Sequence, residues 1–241
     1  MKALLNMLNM LLIVGIGCGC GSYPAGDYAL KSLNSSDQTT VSIERKWISF
    51  TPTEPLFTTG IVFYPGGKVE AESYAPILRN LADKGVSTYI VYVPQDLAIL
   101  NQDAAESIFD TDTRDQWLVA GHSLGGVAAA KMALEYSRVK GLSLWASYPA
   151  GSVDLSEQSV SVHSIAGSKD EVIDWENWEN SAAQLPDTTE WITIEGGNHA
   201  QFGDYGEQDG DGTPEISAEE QWNQTEQAMI ALLEDIETTS N

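Results

Sequence analysis

The 241-residue chain carries 12 Lys and Arg against 35 Asp and Glu, a formal net charge of −23. A surface this acidic repels phosphate backbones and anionic lipid, which argues against nucleic-acid binding and favours solubility. The length and a hydrophobic content of 42% suit one α/β domain with a sizeable core.

Both cysteines, Cys18 and Cys20, lie near the N-terminus, so the rest of the chain holds no disulfide, thiolate nucleophile or zinc–thiolate site. Met1-Lys2 is a short basic end, and Ala3 to Ile16 is mostly apolar. That run is too short for a membrane span and small residues follow it, so residues 1–20 read as a signal peptide. A small residue before a cysteine resembles a bacterial lipobox. Cys18 is then the lipidated residue and Cys20 the alternative, although Gly15 stands where that motif usually has a Leu-like residue. The expectation is an exported chain, lipid-anchored in the bacterial cell envelope or otherwise secreted. Residues 21–40 are rich in Ser, Asn, Gly and Thr and read as a linker to a single folded domain over 41–241.

Val41 to Phe50 alternates as a strand, and Thr51-Pro52-Thr53-Glu54-Pro55 breaks it. Thr59 to Tyr64 is a buried strand that runs into the loop Pro65-Gly66-Gly67-Lys68. Tyr74, Ile77, Leu78 and Leu81 share one face of a helix over 70–84, with Gly85 as its C-cap. Val86 to Val93 is the next buried strand, and 96–110 has roughly helical spacing. Trp117 to Ala120 is a strand that enters the turn Gly121-His122-Ser123-Leu124-Gly125, and an Ala-rich helix follows from Val127 to Tyr136. Strands are predicted over 141–146, 160–166 and 191–195, a helix over 175–185, and an amphipathic helix over 216–236. Strands apolar along their whole length, alternating with helices, imply an α/β fold: a mostly parallel sheet covered on both faces. Its site belongs at the C-terminal ends of the strands. The stretch 149–158 is too short to hold a cap domain.

The turn around Ser123 has the strand–turn–helix setting of a nucleophile elbow, where flanking glycines allow a strained backbone and an exposed serine hydroxyl. A serine nucleophile needs a base. His122 is next to Ser123 and points away from it; His163 lies inside a strand; His199 stands in the glycine-rich loop after the last strand. Elimination and position select His199. Asp170, in Gly167-Ser168-Lys169-Asp170-Glu171, is the acid that would orient it, with Asp154 the main competitor and Glu171 and Asp174 lesser ones. The Leu124 N–H is one oxyanion donor, and Gly66, Gly67 or Lys68 supplies the other. Phe202 and Tyr205, and Trp145, Tyr148, Trp175 and Trp178, are candidate walls, most of them better suited to the core. The acidic Gly-rich stretch up to Gly212 hints at a calcium loop but lacks that motif's spacing and reads as a solvated loop. No metal or cofactor is called for.

The Tyr-Pro-Gly-Gly loop, the Gly-His-Ser-Leu-Gly-Gly elbow, Gly-Ser-Lys-Asp and Gly-Gly-Asn-His together resemble the α/β-hydrolase superfamily. Within it the likeness is to small, lidless, dienelactone-hydrolase-like members, over about residues 58–236. The resemblance implies Ser123 as nucleophile, His199 as base and Asp170 as acid. Dienelactone hydrolases proper carry a cysteine where this chain has serine, which favours ordinary serine-esterase chemistry on a small ester. An acyltransferase with the same triad, or a non-catalytic envelope binding protein on this scaffold, are the alternatives.

Overall fold

Alternation along the central strands decides the layers. In β3 (Gly60–Tyr64), Ile61 and Phe63 pack to one side of the sheet and Val62 and Tyr64 to the other. In β5 (Trp117–His122), Leu118 and Ala120 join the first side, Trp117 and Val119 the second. A strand buried on both faces has no polar side, which is why the sequence runs are continuously apolar. The computed structural model describes residues 21–239, so the expected signal peptide and lipobox lie outside the described residues.

The remaining strands are β1 (Thr39–Ile43), β2 (Trp47–Pro52), β4 (Thr88–Val91), β6 (Val139–Trp145), β7 (Ser161–Gly167) and β8 (Glu190–Ile194). They form one eight-stranded sheet in the order β1-β2-β4-β3-β5-β6-β7-β8. The β1–β2 and β2–β4 pairs are antiparallel and all the others parallel. The helices are α1 (Asp27–Ser32), α2 (Ala75–Asp83), α3 (Glu106–Phe109), α4 (Leu124–Glu135), α5 (Trp175–Asn180) and α6 (Ala218–Thr239). Helices α2 and α6 cover one face; Leu78, Leu81, Met229, Leu232 and Leu233 pack there in one cluster. Helix α4 covers the other, its Ala128, Ala129 and Met132 fully buried against the sheet. Gly85 ends α2 with φ 92°, the left-handed C-cap that its sequence position predicts. Residues 146–160, between β6 and β7, contain no helix or strand, and no cap domain is inserted there.

Three expectations change. The single strand over 41–50 is a hairpin. Glu44, Arg45 and Lys46 are exposed at its tip, and the Glu44 N–H bonds the Trp47 carbonyl at 2.8 Å, reversing the chain. The helix over 96–110 shrinks to α3 at its end. Gln95 and Asp96 take left-handed φ values of 56° and 54°. The Tyr64 hydroxyl then donates to the Gln102 carbonyl and accepts from the Ala105 N–H, taking groups that a continuous helix would pair internally.

Residues 21–40, expected as a linker, are part of the folded body. Asp204, 175 residues from Ala29, accepts from the Ala29 N–H through its carboxylate and from the Gly26 N–H through its carbonyl, both at 2.7 Å, and so holds the start of α1. Arg79 on α2 donates to the Ser32 and Asn34 carbonyls at the end of the same helix. Tyr23 pairs with Val69 in a parallel bridge.

Candidate active site

At Ser123, between β5 and α4, the backbone adopts φ 50° and ψ −122°, a region hostile to residues with a side chain. It is held there by close approach. A Cβ on Gly121 would stand 2.4 Å from the Gly125 carbonyl, and one on Gly125 would stand 2.2 Å from the Tyr64 carbonyl oxygen. Both positions therefore admit only glycine. The Ser123 N–H bonds the Trp145 carbonyl at 2.9 Å, and its own carbonyl accepts from Ser147 Oγ at 2.6 Å, so β6 fixes the turn from the far side. Ser123 remains 8% exposed at the C-terminal edge of the parallel strands.

His199 reaches this edge from the loop after β8. Its Nδ1 lies 2.8 Å from Asp170 Oδ2, and both residues are buried. Asp170 follows β7; its other oxygen accepts from the Val172 and Ile173 N–H groups at 2.9 and 2.8 Å. Donation of Nδ1–H to this anchored carboxylate leaves Nε2 as the basic nitrogen, and Nε2 is buried with no hydrogen-bond partner among the described residues. Burial pulls the His199 pKa down. The Asp170 charge, the Asp170 hydrogen bond and the Asp211 charge push it up, and the net shift is upward.

The competing acids fall elsewhere. Asp154 is fully exposed and bonded to Ser156, and Asp174 accepts from the Asn177 N–H as the N-cap of α5. His163 pairs with Glu190 across β7 and β8 at 3.0 Å, remote from the site, and burial lowers its pKa. His122 is buried under the turn. Its ring lies 4.4 Å from that of His199, and its Nδ1 is 2.8 Å from the Tyr74 hydroxyl. Burial, then the neighbouring His199, hold its pKa well below the ordinary range, so it stays neutral.

The Pro65–Lys68 loop is pinned on both sides of Gly67. The Gly66 N–H donates to the Tyr74 hydroxyl at 3.0 Å and the Lys68 N–H to the Asp96 carbonyl at 2.7 Å. Lys68 adopts φ 63°, and its carbonyl accepts from the Tyr23 N–H. Among the described residues no acceptor takes the Gly67 N–H or the Leu124 N–H, the latter being the first, unpaired donor of α4. A Cβ on Gly67 would stand 3.2 Å from the Leu124 side chain, so the two residues face each other. Of the three candidates for the second donor, Gly67 alone has an N–H without an acceptor among the described residues.

The aromatic residues considered as walls are mostly core. Trp145 and Phe202 are fully buried and stack at 6.0 Å, Phe202 also contacts His122, and Tyr205 and Trp178 are buried. Tyr148 and Trp175 are half-buried and pack against the same cluster. The acidic stretch is solvated only in part: residues 206, 207, 209 and 210 are exposed, whereas Asp211 turns inward and bonds the Ala200 N–H.

The model of the alpha/beta hydrolase family matches residues 60–223, about two thirds of the chain and all of the site. Solved structures share the fold. A ferulic acid esterase from Streptomyces cinnamoneus is 18% identical, with a TM-score of 0.63 over 77% of this chain and 68% of that one. An alpha-beta serine hydrolase homologue from Coxiella burnetii is 17% identical, with a TM-score of 0.53 over 69% and 90%. Thermogutta terrifontis esterase 2, phosphoramylated by tabun, is 13% identical, with a TM-score of 0.55 over 83% and 96%. No curated protein matches the chain.

Tyr74 ties the Pro65–Lys68 loop to the turn around Ser123 through one hydroxyl. Tyr74→Phe strands the Gly66 N–H and His122 Nδ1 in the interior and is expected to cost about 2 kcal/mol or more in urea unfolding. A loss within about 0.5 kcal/mol, the range of an unremarkable surface change, would contradict that role.

Proposed function

The chain belongs to the alpha/beta hydrolase family, and from that premise we propose that it is a serine hydrolase that cleaves a small carboxylic ester through an acyl-enzyme. The observation that carries this reading is the buried His199–Asp170 pair, whose unpartnered Nε2 shares the sheet edge with the strained Ser123 and with two free N–H groups.

Ser123 Oγ attacks the ester carbonyl while Nε2 of His199 takes its proton. The carbonyl electron pair moves onto oxygen, and the Gly67 and Leu124 N–H groups bond the resulting oxyanion. The imidazolium is stabilised by Asp170, whose carboxylate is already fixed by two backbone donors. Collapse re-forms the carbonyl and breaks the bond to the alkoxy oxygen, which leaves as the alcohol with the proton from Nε2. Water then repeats the sequence on the acyl-enzyme, giving up a proton to Nε2, and Ser123 recovers its proton as the acid departs. The exchange needs no metal or cofactor. With no cap domain inserted, an added alcohol could reach the acyl-enzyme in place of water, so acyl transfer is the alternative outcome.

We propose an exported protein lipid-anchored through Cys18. Ser22 bonds Asp96 and Tyr23 bonds Lys68, beside the oxyanion loop. At ~3.3–3.6 Å per residue, Cys18 can lie at most about 14 Å from Ser22. A lipid on Cys18 would therefore hold the site's mouth close to the bilayer surface, where sparingly soluble esters gather.

A fluorophosphonate probe is expected to label wild type and not Ser123→Ala. Hydrolysis of short nitrophenyl esters should rise with pH as His199 loses its proton, with an apparent pKa above the ordinary 6.5. In Asp170→Asn that limb should move to lower pH and kcat should fall roughly 10³–10⁴-fold. Labelling of Ser123→Ala at the wild-type rate, or an unmoved limb in Asp170→Asn, would defeat the assignment. For the anchor, a clickable fatty acid fed to expressing bacteria should label wild type and not Cys18→Ser. Equal labelling of the two would place the lipid elsewhere.

A further inference from the structure

The acidic Gly-rich segment that follows the base has no part in the chemistry described so far, yet it returns to the site. Asp211 Oδ2 accepts from the Ala200 N–H at 2.8 Å, in the loop that carries His199. Its Oδ1 accepts from the Gly212 N–H at 2.8 Å and from the Glu171 N–H at 3.3 Å, the latter immediately after Asp170. The next residue repeats the bridge: the Gly212 carbonyl accepts from Asn198 Nδ2 at 2.8 Å. A Cβ on Gly212 would stand 2.0 Å from the Lys169 carbonyl oxygen, so that close approach requires glycine. One turn of chain therefore bonds the residues on both sides of His199 and touches both neighbours of Asp170.

We propose that Asp211 is a positioning residue that clamps the His199 loop to the Asp170 turn and presents a second negative charge to the imidazole. This rests on the reading of His199 as general base. The hydrogen bond between His199 and Asp170 joins two loops from different strands, and a shift of about 1 Å between them would misalign Nε2. Asp170 cannot hold the loops together alone, because its other oxygen is committed to its own turn.

The groups facing His199 are Asp170 from the turn after β7, neutral His122 from β5, and Asp211 from its own loop. Tyr205 lies near both carboxylates and stays neutral, because burial raises its pKa well above the ordinary range. Asp211 is itself raised, by burial first, while the Ala200 and His199 N–H groups and the His199 charge work the other way. Removing the Asp211 charge takes away one of the causes that raise the His199 pKa, so the imidazole should lose its proton at lower pH.

The test is the titration of His199 by ¹H–¹⁵N NMR on histidine-labelled protein, assigned with His199→Ala, beside steady-state ester hydrolysis. Asp211→Asn keeps an acceptor for the Ala200 N–H but not the charge. Its His199 midpoint should fall by roughly 0.5–1 pH unit, and kcat should fall at least about 10-fold with KM within about twofold. Asp211→Glu keeps the charge but moves it, so the midpoint should return toward wild type while kcat stays low. An Asp211→Asn protein with the wild-type midpoint and kcat would overturn the proposal. Should that variant not fold, Asp211→Glu with wild-type kcat would overturn it. The titration needs no turnover, so a shifted midpoint in a protein that cleaves no ester would uphold the clamp and sink the esterase reading.

Discussion

A serine at φ 50° is tolerable only where the chain on either side of it can pass without side chains, and the rest of the molecule is arranged around that crossing. Gly121 and Gly125 approach until a Cβ on either would strike backbone. The Tyr64 and Pro65 carbonyls close on Gly125, so the strand leading into the Pro65–Lys68 loop is packed directly against the turn. The Trp145 carbonyl at the end of β6 takes the Ser123 N–H, and Ser147, just past that strand, donates to the Ser123 carbonyl. Strain of order 1–3 kcal/mol at one residue is absorbed by contacts from three adjacent strands.

Around this rigid turn the interior is electrostatically graded. The His122 and His199 rings lie 4.4 Å apart in a tilted contact, but only His199 faces carboxylates. One imidazole is thereby held neutral as packing, and the other is held basic. Burial opposes the charged form of both, so the carboxylates beside His199 must more than offset it. A chain with 35 acidic residues places two of them here, Asp170 through a direct hydrogen bond and Asp211 through the backbone of the same loop.

What sequence reasoning recovers is local. The elbow's glycines, the strand before it and the helix after it are contiguous, and the apolar alternation that makes the sheet is visible within each strand. The pairing of His199 with Asp170 is legible because each stands a few residues past a strand end, and the structure brings the two to 2.8 Å. What it misses is set by distant partners. Gly67 separates from Gly66 and Lys68 only once Tyr74 and Asp96 have taken their N–H groups. The segment over 21–40 has a linker's composition, and distant partners, Asp204, Arg79 and Val69, make it folded. Residues 96–110 have helical spacing, but two left-handed residues and the Tyr64 hydroxyl divert the backbone. Phe202 and Tyr205 follow His199 and so suggest a wall, yet both are consumed as core beneath it. Asp211 had no distinguishing signal among so many acids.

The central claim is that Ser123 carries the acyl group between the two half-reactions. Intact-protein and peptide mass spectrometry, on protein quenched in acid within seconds of mixing with a nitrophenyl ester, tests it most directly. The account predicts one acyl mass, located on the peptide containing Ser123 and absent from Ser123→Ala. Turnover without any adduct on that peptide, or an adduct that persists in Ser123→Ala, would contradict it.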